Sequence, residues 1–381
     1  MRIGHARLHF LSIPLKFSFS HGARTGRTAS DSVVLSLEAG GSVGYGEAVV
    51  REYVSGSLGI GETFRRESAR LAGELIERFR DRDLSWPEIR TVLLDLPCEE
   101  RSLPLLCALE AALLDCSCHL GGGDAYRLMG TEPAREHMVY SAVLPILPIQ
   151  LAERYLSKYV EIGFQHYKVK VASDRSYNDA VLASCRRLAG SSCEVRVDAN
   201  SSWKPHELDL DLDVCERYGV RLIEQPFPVS SPGAASATRA AQARGFHFMA
   251  DEGVLTAQDV ASIARSGLYQ MLNLRLSKNG GLLRVLSLAR DAEASGLPYQ
   301  LGCMVGETGI LSGYGRLAAS LLPNPAYLEG GYDEGLLTEN VTRSTFPFRS
   351  GGIVDVVRGK RAGYDVDAER LARLSVAVVA V

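Results

Sequence analysis

Residues 167–171 read YKVKV, and whatever faces the two lysines decides the fold. Side chains of a strand alternate between its faces. Lys168 and Lys170 therefore share one face, and Tyr167, Val169 and Val171 share the other. Neighbouring ammonium groups repel, and lysine is rarely buried without a partner. Either the lysine face is wet and both side chains snorkel into solvent, or anions stand opposite it. The segments downstream bear on that choice.

Those segments repeat one rhythm of short apolar run, loop and helix. The runs are VYSAVLPI (139–146), YKVKV (167–171), EVRVDAN (194–200), RLIEQP (221–226), HFMADE (247–252), YQMLNLRL (269–276), YQLGCM (299–304) and YLEG (327–330). Helical patterns over 149–162, 176–188 and 283–294 lie between them. Eight runs at intervals of roughly 25–30 residues predict a (β/α)8-type (modified TIM) barrel in the α/β class. A doubly wound open sheet is the alternative, but no Gly-rich phosphate loop follows the first run.

Upstream the rhythm differs. Strands over 3–10, 32–38 and 44–49 precede helices over 61–79 and 103–120, the second apolar on nearly all sides. This order predicts an α+β domain over 1–125. The barrel is expected over 126–330, with a less regular segment, 331–381, packing back on the N-terminal domain.

A chain of 381 residues with 46% hydrophobic and 23% charged residues and a net charge of -3 has an ordinary globular composition. That near-neutral balance gives no field for nucleic acid or an anionic membrane. No apolar run approaches the ~20 residues of a bilayer span. The opening MRIGHARLHFLSIPLKF is broken by charges, unlike a signal peptide, so a cytoplasmic protein is expected. The eight cysteines form no CxxC pair and read as reduced core thiols.

Acids then appear in phase. VRVDAN ends in Asp198 and Asn200, IEQP carries Glu224, and MADE carries Asp251 and Glu252. Each closes an apolar run, and in a barrel such ends meet at one face. One acid at a strand end is a common turn or cap residue. Three on successive strands would share a small volume, which demands a cation. Oxygen ligands without histidine or cysteine point to Mg²⁺, with Mn²⁺ next.

With GYGEA (44–48), YKVKV, VDAN, EQPF, ADE, SKNGGLL (277–283) and GCM (302–304) in place, nearly the whole chain resembles the enolase superfamily. It is most similar to the muconate lactonizing enzyme and dipeptide epimerase branch. The resemblance implies an N-terminal capping domain on the barrel and Mg²⁺ on Asp198, Glu224 and Asp251. It implies Lys170 as base at the α-carbon of a small-molecule carboxylate, with Asn200 and Glu252 supporting, and a symmetric homo-oligomer. The chemistry agrees. An enediolate needs positive charge beside its carboxylate. A neighbouring ammonium at Lys168 and a nearby cation disfavour charge on Lys170.

The resemblance breaks at strand six. Racemases and epimerases of this branch place a second lysine where this chain has Arg275, in NLRL (273–276). Arginine stays protonated and cannot act as a base. It could stabilise the enediolate, hold a second carboxylate, or form an interior ion pair with Asp251 or Glu252. By strand parity Lys278 falls on the opposite face, in the loop before Gly280, unless a bulge re-aims it to replace the missing lysine. Strand eight carries Glu329 where similar dipeptide epimerases carry Asp-x-Asp, leaving Glu329 to meet any substrate ammonium. Glu307 lies just beyond strand seven, as a distal acid or a helix-start residue. Specificity is expected from His21 and Arg24 in a loop over 17–28, and from Arg51 and Tyr53.

The expected function is Mg-dependent isomerase or lyase chemistry of the one-base cycloisomerase or syn-elimination type. The alternatives are an N-acyl amino acid racemase or dipeptide epimerase, and a catalytically silent metal-binding barrel.

Overall fold

Three antiparallel strands open the chain: β1 (Ile3–His21), β2 (Arg24–Ala39) and β3 (Ser42–Val49). The computed structural model describes all residues except Gly22, Ala23, Ser57, Leu58, Asp81, Cys98 and Lys360. The side chains of Phe19, Ser20, His21, Arg24, Thr25, Tyr53 and Ser55 also lie outside the described set. The expected loop over 17–28 is instead largely strand. β1 and β2 run on as a hairpin past Pro14, with His21 opposite Arg24. Pro14 fits because its carbonyl turns away from β2 and accepts from Thr338 N (3.0 Å), so no ladder bond requires its missing N–H.

Three helices follow: α1 (Glu62–Glu77), α2 (Trp86–Asp95) and α3 (Leu103–Leu120). Ser85 and Glu88 form a capping box at the start of α2. Helix α3 is buried from Leu103 to Cys118 and lies directly on β3. GYGEA explains that contact. A Cβ on Gly46 would stand 1.9 Å from the Ala108 carbonyl oxygen, and one on Gly44 2.0 Å from that of Ala112. Glycine there lets strand and helix backbones meet. Among the described residues one helical stretch, 100–120, is long and apolar enough to cross a membrane, and it is interior to the protein.

The barrel strands are β4 (Ala142–Leu144), β5 (His166–Lys170), β6 (Glu194–Asp198), β7 (Leu222–Glu224), β8 (His247–Ala250), β9 (Met271–Arg275), β10 (Tyr299–Gly302) and β11 (Tyr327–Leu328). All eight pair parallel and in sequence order. Ser141 N donates to the Leu328 carbonyl (2.9 Å) and ties the last strand to the first. The connecting helices are α4 (Ile149–Ile162), α5 (Arg175–Ala189), α6 (Leu208–Arg217), α7 (Ala234–Ala243), α8 (Ala257–Ser266), α9 (Leu282–Ala294) and α10 (Gly309–Leu321). Beyond the barrel, β12 (Ser375–Ala380) pairs antiparallel with β1 and forms the outer edge of the first sheet.

Two buried acids of the first domain reach barrel helices. Glu47, on β3, accepts from Thr308 N (3.1 Å), Thr308 Oγ1 (2.7 Å) and Leu311 N (3.3 Å) at the start of α10. Glu110, on α3, accepts from Leu282 N (2.6 Å), Leu283 N (3.2 Å) and Tyr314 Oη (2.5 Å) at the start of α9. A helix start has unpaired N–H groups and partial positive charge, so a carboxylate suits it. Burial nevertheless pushes both carboxyls up to about 7.

Candidate active site

In-register pairing sets Lys170 beside Asp198 and Asp198 beside Glu224, while Asp251 directly follows β8. The three acids are 0% exposed. The lysine face of YKVKV is therefore dry, and anions stand opposite it. Lys168 Nζ lies 2.6 Å from Glu329 Oε2, 3.3 Å from Glu224 Oε2 and 3.7 Å from Asp198 Oδ2. Burial works against its charge, but the three carboxylates outweigh burial and hold Lys168 above the usual lysine range. Lys170 Nζ donates to Asp198 Oδ2 (2.8 Å) and Asn200 Oδ1 (2.5 Å). Asn200 adopts φ +43°, a conformation asparagine tolerates, as the chain turns off β6.

Arg196 completes this side, and its role was missed from sequence. It shares the inward face of β6 with Asp198, and that parity was the available signal. Its Nη2 reaches Glu329 Oε1 (2.6 Å) and Ser141 Oγ (3.1 Å), with the guanidinium over the Tyr327 ring at 4.2 Å. Glu329 thus engages Lys168 with one oxygen and Arg196 with the other. Burial raises its carboxyl, but Lys168 and Arg196 hold it below the usual range. It serves as an interior counter-ion to both.

The other side is organised by Arg275 and Lys278. Arg275 Nη2 pairs with Asp251 Oδ2 and lies 3.4 Å from Glu224 Oε1, the interior ion pair among its expected roles. Lys278 overturns its parity reading. Beyond Arg275 the chain leaves the strand for one helical turn, Leu276–Asn279, where strand alternation no longer applies. Asn279 Oδ1 accepts from Arg275 N (2.8 Å) to set the turn. The turn carries Lys278 Nζ to Asp251 Oδ1 (2.9 Å) and to the carbonyls of Asp251 (2.6 Å) and Asn273 (2.8 Å). Asn273 Nδ2 donates to Glu224 Oε1 (2.7 Å).

Among the described residues, no three acid, histidine or cysteine side chains are gathered into a ready metal cage, because the acids are drawn toward these cations. The donor chemistry still fits a divalent cation. Burial and the charge of Asp198 push Glu224 up to about 7. Burial, Asp251 and Asp198 push half-buried Glu252 up to about 8. Glu252 Oε1 accepts from Asn200 Nδ2 (3.4 Å), while its Oε2 is buried with no hydrogen-bond partner among the described residues. The site therefore carries an oxygen-only donor set in which one buried carboxylate oxygen has no partner among the described residues.

A cavity of about 460 Å³ opens above Lys170, lined among others by Phe17, Tyr155, Tyr332, Phe348 and Glu307. Arg51 is buried and donates to the carbonyls of Val50 (2.5 Å) and Val305, strapping the first domain to the loop after β10. Glu307 lies in that loop, ahead of the α10 cap at Thr308, and borders the cavity. The side chains of His21, Arg24 and Tyr53 lie outside the described residues. The seven described cysteines are unpaired thiols, of which Cys303 borders the cavity.

Comparison with known proteins places this geometry. The family described as enolase C-terminal domain-like matches residues 150–370. The L-Ala-D/L-Glu epimerase of Clostridium acetobutylicum is 26% identical over 335 residues, covering 86% of this chain and 88% of that protein. Muconate cycloisomerase 1 of Pseudomonas putida is 30% identical over 212 residues, 55% of each chain. The structure of a dipeptide epimerase from Enterococcus faecalis V583, complexed with Mg and the dipeptide L-Leu-L-Tyr, superposes with a TM-score of 0.79 at 21% identity, over 96% of this chain and 100% of that one. At that identity the likeness speaks to the fold. Capping domain, sequential barrel and family match together show that the chain is an enzyme of the enolase superfamily, in the muconate lactonizing enzyme and dipeptide epimerase branch.

Proposed function

We propose that the protein removes the proton α to the carboxylate of a small-molecule substrate, with Lys170 as base, and that it depends on Mg²⁺. One observation carries the reading: the two lysines of YKVKV are treated differently. Lys168 is held by three carboxylates and is kept charged. Lys170 alone of the pair borders the cavity, with its Nζ aimed by Asp198 and Asn200. A fixed cation beside a positioned amine suits enediolate formation, since it favours the negative charge formed on the substrate.

Asp198, Glu224 and Asp251, with Glu252 adjoining, would hold the divalent cation, which would supply Lewis-acid charge at the substrate carboxylate. Magnesium suits a donor set made only of oxygen, and the similar Enterococcus faecalis structure is a Mg complex. Glu329 is committed to Lys168 and Arg196, which argues against capture of a free substrate ammonium and for an N-acylated or amine-free substrate. Arg275 cannot take up a proton, and Lys278 on the same side is fully buried against Asp251, away from the cavity lining.

The test is solvent deuterium exchange, read by mass spectrometry. Wild type and Lys170→Ala are incubated with Mg²⁺ in D₂O against N-acyl amino acids, hydroxy acids and unsaturated diacids. Exchange at the α-carbon that falls by at least ~100-fold in the variant is expected. Equal exchange in both proteins would remove Lys170 from the role.

A further inference from the structure

Glu307 is the one acid on the cavity wall supplied by the loop after β10. Its carboxylate accepts a hydrogen bond from Met304 N (2.5 Å) through Oε1 and is 8% exposed. The loop that carries it is held from three points of the first domain. Ser30 Oγ donates to the Gly306 carbonyl (2.8 Å), Arg51 donates to that of Val305, and Glu47 binds both Thr308 N and Oγ1. Gly306 has φ +81°, and a Cβ there would stand 2.3 Å from Ser30 Oγ, so the turn is built for this close approach. A carboxyl presented to a cavity by a loop this firmly held is pre-positioned, which catalysis requires of a proton carrier.

Its place in the barrel is as telling. Lys170 ends the second barrel strand, and Glu307 follows the seventh. Round a closed barrel of eight they stand three strands apart, near the widest separation available. Both border the same 460 Å³ cavity.

We propose that Glu307 is the acid-base partner of Lys170, carrying the proton on the opposite face of the substrate α-carbon. The proposal rests on the α-proton reading above. In the forward direction the Lys170 amine takes the α-hydrogen, the C–H pair enters the enediolate, and Lys170 becomes an ammonium. The O–H bond of the Glu307 carboxylic acid then breaks as a C–H bond forms on the other face, leaving a Glu307 carboxylate. The mirror substrate runs the same steps backwards, or proton exchange with water resets both groups. The net reaction is inversion, with no oxidant or co-substrate.

The electrostatics agree. Burial, with the charges of Glu47 on β3 and Asp333 beyond β11, pushes Glu307 up to about 8 against the hydrogen bond from Met304 N and the charge of Arg275 on β9. The adjoining Cys303 thiol is pushed up by its own burial, so it stays uncharged beside Glu307. Such a carboxyl has both its acid and its base forms within reach near neutral pH.

The test uses Glu307→Gln, which keeps the Oε1 acceptor for Met304 N, on the full chain with Mg²⁺. N-acyl L- and D-amino acids that wild type exchanges in D₂O are the probes. Inversion is expected to fall by at least ~100-fold, while the enantiomer whose hydrogen faces Lys170 still takes up deuterium and its mirror image does not. Glu307→Asp, which keeps the acid, should recover part of the inversion. Loss of exchange from both enantiomers alike, or unchanged inversion, overturns the proposal. If wild type exchanges no probe, the α-proton reading itself has failed. Glu307 is then judged by ¹³C-carboxyl NMR titration against Glu307→Gln, where titration in the ordinary carboxylate range overturns its role.

Discussion

Glu110→Ala removes the acceptor for three buried donors: Leu282 N, Leu283 N and Tyr314 Oη. Leaving a buried donor unpaired costs roughly 1–3 kcal/mol. With some relaxation of the α9 start the loss comes to about 3–6 kcal/mol. A second effect opposes it. The Glu110 carboxyl is pushed from 4.5 up to about 7 by burial, so its ionised form is a cost to the fold that the variant removes. At about 1.36 kcal/mol per pKa unit that relief is on the order of 3 kcal/mol when the carboxyl is fully ionised, and already about 1.4 kcal/mol at pH 5.5, one unit above the unfolded value. Urea denaturation of both proteins at pH 5.5 and 8.5 should therefore give a destabilisation of about 2–5 kcal/mol at the lower pH, shrinking by about 2 kcal/mol at the higher. A loss below about 1 kcal/mol at pH 5.5, or one that grows with pH, would refute the assignment of Glu110 as a buried helix-start acceptor.

Other perturbations test other parts of the argument. Gly46→Ala places a Cβ 1.9 Å from the Ala108 carbonyl oxygen and must part β3 from α3. A loss of about 3 kcal/mol or more is expected, read by chemical denaturation, and a wild-type midpoint would contradict the close packing. The pH dependence of wild-type stability follows from Glu47, Glu110 and Asp115, the last a buried acid of α3 paired with Arg361, each pushed up to about 7 by burial. Their folded pKa lies above the unfolded one, so their contribution is fullest below about pH 4, declines as pH rises toward 7 and is flat above it. Asp251 and Glu329 shift the other way and withdraw their support only as the medium becomes strongly acidic. Denaturation midpoints should accordingly fall between pH 5 and 7.5, and a steady rise across that range would count against the interior acids as described.

What the sequence made legible followed the regular periods. Acids closing successive apolar runs located Asp198, Glu224 and Asp251, and strand parity paired Lys168 with Lys170. Where the backbone leaves its period, the rule fails with it. Parity alone puts Lys278 on the wrong face; the irregularity that re-aims it is a single helical turn where β9 gives way at Leu276, not a bulge. The hairpin over 17–28 was read as a loop because its glycines, serines and arginines have turn-like chemistry, while strand pairing overrode composition. Arg196 was visible by parity but passed over, since one arginine in an apolar run has no local partner; Glu329 is 133 residues away. Glu110 was equally silent, a lone acid in an apolar helix whose donors lie in another domain.

The pairing of β12 with β1 bears on how the protein is made. Residues 3–49 leave the ribosome before the barrel does, yet the outer strand of their sheet comes from residues 375–380. Throughout synthesis of the barrel, β1 presents an open ladder edge from Arg7 to Leu11, the kind of edge that recruits strands from other chains. Closing it brings together residues more than 360 positions apart, a slow, non-local step. Translation rate and chaperone access should therefore govern the yield of this protein more than its final stability does, and fusions that crowd the C-terminal strand should aggregate during synthesis.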